Sequence, residues 1–372
     1  MSVETQREAA FAGTLDGSLP GQRASEVTYD HLIIPPHWRR SEESGPGAHN
    51  PLFAGDPAVS PLNPPTGPIT GPITGPITGG MTSPLLVGTT ARAFAKLDDL
   101  IRLNADDRAV IDARRNDAEQ ALRTIFPPRC ALPLVGVATI GSAGRDTMIR
   151  PVDEVDIIVV FSAANSAWKR FRWDSRDLLL RVRNAIGGDR IQMIGSRGQA
   201  MRVVYNCAPD VHLVPAFDHP RAGYVMPDCV GGWLPTRPER HASWMADAGP
   251  RVASAVRLLK AWNRVYGSRL RSFHLEALAG KVLINRGLNT RQGLAAVFRH
   301  IESRGFAAYD PAEVGGDLST YLQPQDVDAL REPVAFARAR ADEAVEAEQV
   351  GRHEEAVNLW RLIFGPEFPT FG

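Results

Sequence analysis

"ATIGSAGRDTMIRPVDEVDIIVVFS", residues 138–162, joins a Gly-Ser pair, a polar run and an acidic triplet to an apolar stretch. In a strand, side chains i and i+2 share a face, so Glu154 and Asp156 project side by side, roughly 7 Å apart along the chain. Carboxylates held that close repel unless a cation sits between them or one takes a proton. Asp153 falls on the opposite face and is the weaker candidate. Glycine lets the backbone approach a phosphate, and exposed N–H groups with a serine hydroxyl can bind its oxygens. Paired acids behind such a turn suit phosphoryl chemistry on a nucleoside triphosphate, the acids holding Mg²⁺. The bland alternative is a solvated strand end after a common Gly-Ser turn.

Around this stretch the chain divides into three. Residues 1–87 are rich in Pro, Gly, Ser and Thr, lack apolar periodicity, and read as a disordered arm. TGPI recurs in tandem in "TGPITGPITGPITGG" (66–80); its Pro and Gly forbid helix, so it reads as an extended linker. One apolar island, "YDHLIIPPHWRR" (29–40), interrupts the arm.

Ordered sequence is expected from about residue 88. Ala93, Phe94, Leu97, Leu100 and Ile101 follow helical spacing, and a second helix after Asn104 or Asp106 as N-cap runs to Pro127-Pro128. Strands are expected at 134–140, 155–161, 200–206 and 211–215, with a helix near 174–186. From about 240 the period is helical, over 250–266, 273–285, 290–303, 325–348 and 352–364. The expected architecture is an α/β catalytic core at 88–240 followed by a helical domain at 241–372.

The 372 residues carry 42 Lys+Arg and 42 Asp+Glu, so no broad basic field calls for nucleic acid. The cysteines (Cys130, Cys207, Cys229) are scattered and read as free thiols in a reducing compartment. There is no signal-peptide pattern and no apolar run of membrane-spanning length, so a cytoplasmic protein without a membrane partner is expected.

Five blocks in order carry a family resemblance: "GS…EVD" (141–156), "HLVPAF" (212–217), "GYVMPDCVGGWLPTRPERHASWM" (223–245), "VRLLKAWNR…LRSFHLEAL" (256–278) and "AVNLWRLIFGPEFP" (356–369). The first is similar to the polymerase-β-type nucleotidyltransferases. Together the five resemble the cGAS/DncV-like nucleotidyltransferases, bacterial synthases of cyclic oligonucleotide second messengers in anti-phage defence, over about residues 88–372. The resemblance implies a polymerase-β-like core with a mixed sheet, ATP, GTP or other triphosphates as substrates, Mg²⁺ or Mn²⁺ as cofactor, and a downstream effector that senses the product. It assigns Gly141 and Ser142 to the phosphate-contacting turn, Glu154 and Asp156 to the metals, and Lys260 and Ser272 to the triphosphate. Set against this, Lys260 reads equally as a solvated helix lysine and Ser272 as the cap of the helix at 273. Trp262, Phe273 and Leu275 read as core, and Arg145 as a mobile surface arginine. One position departs from the family pattern: where a third carboxylate is expected stands His212, with Asp210 two residues earlier on the same strand face. Either His212 is a ligand, or Asp210 reaches the metals, or the site is impaired. Two other functions stay open: transfer to an RNA, protein or small-molecule acceptor, and a nucleotide-binding regulator whose chemistry has lapsed.

Overall fold

A computed structural model describes residues 86–163, 167–186, 191–193, 200–219, 223–228 and 230–372. The arm expected over 1–87, with its TGPI repeat and apolar island, lies outside these residues except for Leu86–Val87. Those two form β1, two residues ahead of the start expected near residue 88, and β1 pairs in parallel with β9 (Thr370–Phe371). Cys229 also lies outside the described residues.

Helix α1 (Thr90–Ile101) starts at Thr89, whose hydroxyl accepts from the Arg92 N–H at 3.2 Å. Helix α2 (Ala105–Ile125) settles the N-cap on Asn104: its side chain accepts from Asp107 N–H at 2.8 Å, and the Asp107 carboxylate accepts from Asn104 N–H at 2.9 Å. That reciprocal box satisfies two donors that a helix start leaves open.

The sheet has seven described strands. Its main path is β2 (Leu134–Thr139), β3 (Glu154–Phe161), β6 (Asp210–His219), β5 (Met201–Val203) and β4 (Ile191–Met193). Beyond the stretch paired with β5, β6 pairs with β7 (Gly223–Pro227), which pairs with β8 (Trp233–Thr236). Only β3 and β6 run parallel within this sheet, so it is mixed, as the resemblance implied. Strands β4, β7 and β8 were not anticipated. They are short, and two of them contain Pro or Gly, which weakens a period-two pattern.

The unbroken apolar run after Asp156 follows from burial on both faces of the sheet. Val155, Ile157, Val159 and Phe161 enter one core with Leu122 of α2, Phe126 at its C-cap, Phe171 of the short α4 (Ala167–Phe171), and Leu178 and Val182 of α5 (Ser175–Ile186). Ile158 and Val160 join Ala216 and Tyr224 on the opposite face.

The helical half contains α6 (Pro238–Ala248), α7 (Pro250–Val265), α8 (Ser272–Leu283), α9 (Thr290–Arg304), α10 (Pro324–Gln349) and α11 (His353–Phe364). Helix α1 was placed with the catalytic core, yet Ala93, Phe94, Leu97 and Ile101 are buried with Trp262, Phe298 and Trp360. Phe94 stands edge-on to Trp360 at 4.9 Å and to Phe368 at 5.2 Å between ring centres. The apolar stripe of α1 was legible; its partner, more than two hundred residues away, was not.

Candidate active site

Strands β3 and β6 pair in register, setting Glu154 beside Asp210 and Asp156 beside His212. Neighbours across a pair share a face, as do alternate residues, so all four lie on one face, ahead of Ile158, Val160 and Ala216. The short helix α3 (Gly141–Gly144) follows β2 and leans on the same strand mouth, the Ile140 N–H donating to the Asp156 carbonyl at 2.9 Å. Gly141 has φ of +65°, and a Cβ there would stand 2.2 Å from Asp156 Oδ2. Glycine therefore serves twice, supplying the left-handed turn and the space that the carboxylate occupies.

His212 lies between the acids. Its Nε2 is 3.2 Å from Glu154 Oε2, and its Nδ1 is 3.5 Å from Asp156 Oδ1. Carboxylates only accept and a neutral imidazole carries one N–H, so holding both takes the doubly protonated ring. Burial opposes that charge, but the Asp156 hydrogen bond and the charges of Glu154 and Asp156 outweigh it, raising the imidazole above its ordinary value. When protonated, the ring fills the gap that two repelling carboxylates create; facing a metal there, it would have to be neutral.

Asp210 is committed elsewhere. Arg202 donates to its Oδ2 through Nε at 2.8 Å and Nη2 at 2.6 Å, and the Tyr205 N–H donates to its Oδ1 at 3.0 Å. Both oxygens are engaged, which counts against the expectation that Asp210 reaches the metals. Among the described residues, no three His, Cys, Asp or Glu side chains converge on a ready-made metal centre. Glu154 and Asp156 keep side-chain exposures of 61% and 40%, however, so their oxygens remain reachable. Mg²⁺ is commonly held by one or two carboxylates with substrate phosphates and water, and this donor set fits that pattern.

On the helical side the structure corrects two readings. Lys260 on α7 is neither a solvated lysine nor poised toward an open cleft. Its Nζ donates to the Thr147 carbonyl at 2.9 Å, to Thr147 Oγ1 at 3.1 Å and to Glu276 Oε1 on α8 at 2.8 Å. Arg145 is not a mobile surface group: its guanidinium pairs with the same Glu276 and lies over the Phe273 ring at 4.8 Å. Glu276 is fully buried; burial would raise its carboxyl pKa, but Lys260 and Arg145 hold it down at about 2. The Lys260 ammonium is pushed down by burial, partly offset by Glu276.

Lys260 belongs to a stripe. Arg257, Lys260 and Arg264 recur at helical spacing and donate to the carbonyls of Asp146 (3.0 Å), Thr147 (2.9 Å) and Arg150 (2.6 Å). Arg257 also grips Asp98 of α1 through two contacts of 2.7 Å. The loop between α3 and β3 is strapped along α7 by these cations. Ser272 opens α8 and is exposed; the cap position itself falls on Arg271. Trp262 and Leu275 are core as expected, while Phe273 is half-buried between Arg145 and the His241 ring.

Sequence reasoning missed Glu276, Thr147 and Arg202 and dismissed Arg145. For Glu276 a signal existed: a carboxylate inside "LEALAG" (275–280), flanked on both sides by apolar residues, has to be buried and paired.

Comparison with known proteins places the fold and the segment that carries the site. Residues 89–248 match the family described as "Second Messenger Oligonucleotide or Dinucleotide Synthetase domain". A Bacillus cereus (strain VD146) protein named "Probable cyclic nucleotide synthase" is 24% identical over 270 residues, covering 62% of this chain and 81% of that protein. A cyclic AMP-AMP-GMP synthase from Enterobacter hormaechei is 27% identical over 180 residues, 44% of this chain and less than half, 46%, of the relative. Among solved structures, Escherichia coli MS115-1 CdnC in complex with HORMA-deltaN superposes with a TM-score of 0.61 at 19% identity, over 74% of this chain and 97% of that one. Bradyrhizobium diazoefficiens CdnG in complex with GTP gives 0.56 at 12% identity, over 73% and 97%. At such identities the superpositions speak for the fold. With its parallel β3–β6 pair and its acids on one face at the strand mouth, the segment 89–248 matches the second messenger oligonucleotide or dinucleotide synthetase domain, and the chain around it has the fold of CdnC and CdnG.

Proposed function

We propose that this protein joins nucleoside triphosphates into a cyclic di- or oligonucleotide second messenger and releases pyrophosphate. The observation that carries this reading is the pair Glu154 and Asp156, held on one face of β3 against the Gly141 turn and reachable from solvent. A bound divalent cation, Mg²⁺ or Mn²⁺, would neutralise the triphosphate and lower the barrier to attack by a sugar hydroxyl. Glu154 and Asp156 would hold it, with His212 as the third group facing it. The Gly141–Ser142 turn brings backbone and hydroxyl donors to the phosphate oxygens. Ser272, exposed on the first turn of α8, offers a further donor beside a helix N-terminus. In each transfer a ribose 3′- or 2′-hydroxyl oxygen bonds to an α-phosphorus, and the bond from that phosphorus to the bridging oxygen breaks. Pyrophosphate leaves with the electron pair, and a strand-mouth carboxylate takes the hydroxyl proton. The last transfer closes the ring. The relatives named above carry the names "Probable cyclic nucleotide synthase" and "Cyclic AMP-AMP-GMP synthase", and CdnC and CdnG have been solved with ATP and GTP, which supports triphosphate substrates here. A product of this kind acts on a downstream effector, in keeping with a role in anti-phage defence.

A second reading, a nucleotide-binding regulator without turnover, draws on one observation. The third-carboxylate position holds His212, and Asp210 beside it is tied to Arg202. Incubation with labelled triphosphates, then phosphatase and thin-layer separation, tests both. Phosphatase-resistant spots support cyclic product, label on a macromolecule means transfer to another acceptor, and complete conversion to phosphate without a resistant spot leaves the regulator.

A further inference from the structure

The ionic cluster beneath the Gly-Ser turn has an unusual composition. Glu276 is fully buried, and the Arg145 and Lys260 side chains keep only 9% and 6% exposure. Arg257 nearby is matched by Asp98, so one carboxylate answers two cations. Replacing a buried ion pair by apolar residues is often neutral or stabilising, so folding stability alone gives little reason for this arrangement. Its geometry gives another. Arg145 is the residue that ends α3, and Thr147 follows two positions later. Thr147 Oγ1 donates to Glu276 Oε1 at 2.7 Å, while the Thr147 and Met148 N–H groups both donate to the Ser142 carbonyl, at 3.0 and 3.1 Å. A single carboxylate on α8 therefore holds the exit of the turn at two points and sets Lys260 at a third. The excess positive charge it leaves in a water-poor site lies beneath the turn, where it favours an anion above.

We propose that Glu276 is a positioning residue for nucleotidyl transfer, fixing the Gly141–Ser142 turn against Asp156 through Thr147 and Arg145. The proposal rests on the nucleotidyltransferase reading. A turn anchored from α8 keeps its donors aligned with the strand-mouth acids. A released turn still meets phosphate, but in geometries that do not lead to transfer.

The test compares wild type with Glu276→Gln, Glu276→Asp and Thr147→Val, measuring kcat and KM for pyrophosphate release, ATP and GTP affinity by calorimetry, and the melting temperature. Displacements of about 1 Å can cost on the order of a hundredfold in rate, and a loss of that order in kcat is expected for Glu276→Gln, with KM changed far less. Glu276→Asp should recover part of the rate. Thr147→Val, which removes the hydroxyl that Glu276 accepts from and Lys260 donates to but keeps the backbone contacts of the turn, should lower kcat while melting close to wild type, and it decides the matter if Glu276→Gln does not fold. Wild-type kcat in Thr147→Val, or in folded Glu276→Gln, overturns the proposal and leaves the nucleotidyltransferase reading standing. A wild-type protein that neither binds nor consumes any triphosphate overturns both.

Discussion

Two carboxylate–cation clusters flank the Gly-Ser turn, and they differ in access to water. At the strand mouth, Glu154 and Asp156 surround His212 with exposures of 61% and 40%. Below the turn, Glu276 gathers Lys260 and Arg145 with none. An exposed carboxylate can exchange its counterion for a metal or a substrate at little cost, since ion pairs in water contribute about 0–1 kcal/mol. A buried one cannot, because each unpaired charge would lose solvation worth several kcal/mol. The first cluster is thus suited to chemistry and the second to holding a shape. Lys260, which the family resemblance assigns to the triphosphate, lies in the second.

The sharpest way to break this contrast is to remove the acids of each cluster in turn. Glu154→Ala/Asp156→Ala should abolish product, a loss on the order of a thousandfold or more, comparable with or beyond removal of one transition-state donor. Its denaturation midpoint should stay near that of wild type, and undiminished turnover in the purified double variant would end the nucleotidyltransferase assignment. Glu276→Ala should do the reverse to stability, costing about 3–5 kcal/mol because Arg145 and Lys260 are left buried without a counterion. Urea unfolding measures it; a change within about 0.5 kcal/mol, the range of ordinary surface substitutions, would mean the cluster is wetter than its burial implies.

Metal preference sharpens the upper cluster. Imidazole suits Mn²⁺ and later transition ions better than Mg²⁺, so wild type should work better in Mn²⁺. His212→Asp should move that preference toward Mg²⁺, whereas Asp210→Asn should act through the Arg202 contact and leave the preference alone. Equal preference in wild type and His212→Asp would remove His212 from the metal site.

The smallest effects should appear in pH dependence, and their signs oppose. The Glu276 carboxyl is depressed from 4.5 to about 2, so its contribution is complete above 4.5 and is lost as pH falls toward 2. The acid limb of a stability profile should therefore flatten in Glu276→Gln. His212 is raised above its ordinary 6.5, so its contribution is complete below 6.5 and is lost as pH rises through the raised value. His212→Asn should flatten the profile on that side only. Thermal melts across the range separate the two; a single shared transition would deny that the clusters are distinct.

Much of this was legible in the chain. Alternation put Glu154 and Asp156 on one face, and the apolar run behind them marked a strand. Helical spacing located α7 through α11 within a few residues, and Asn104 or Asp106 announced a capped start that the structure settles on Asn104. These features depend on backbone geometry that repeats every two or 3.6 residues, so a short window of sequence contains them. Partner choice does not repeat. Arg145 meets Glu276 across 131 positions and Lys260 meets Thr147 across 113. Asp210 could face a metal or Arg202 with the same local pattern, and α1 could have packed on either core. Long polar side chains settle on whichever partner the packed helices and sheet bring near, because an unpaired charge in the interior costs more than any local preference can return. Placement of the acids was thus written in the sequence, while the fate of each cation was decided by the tertiary fold.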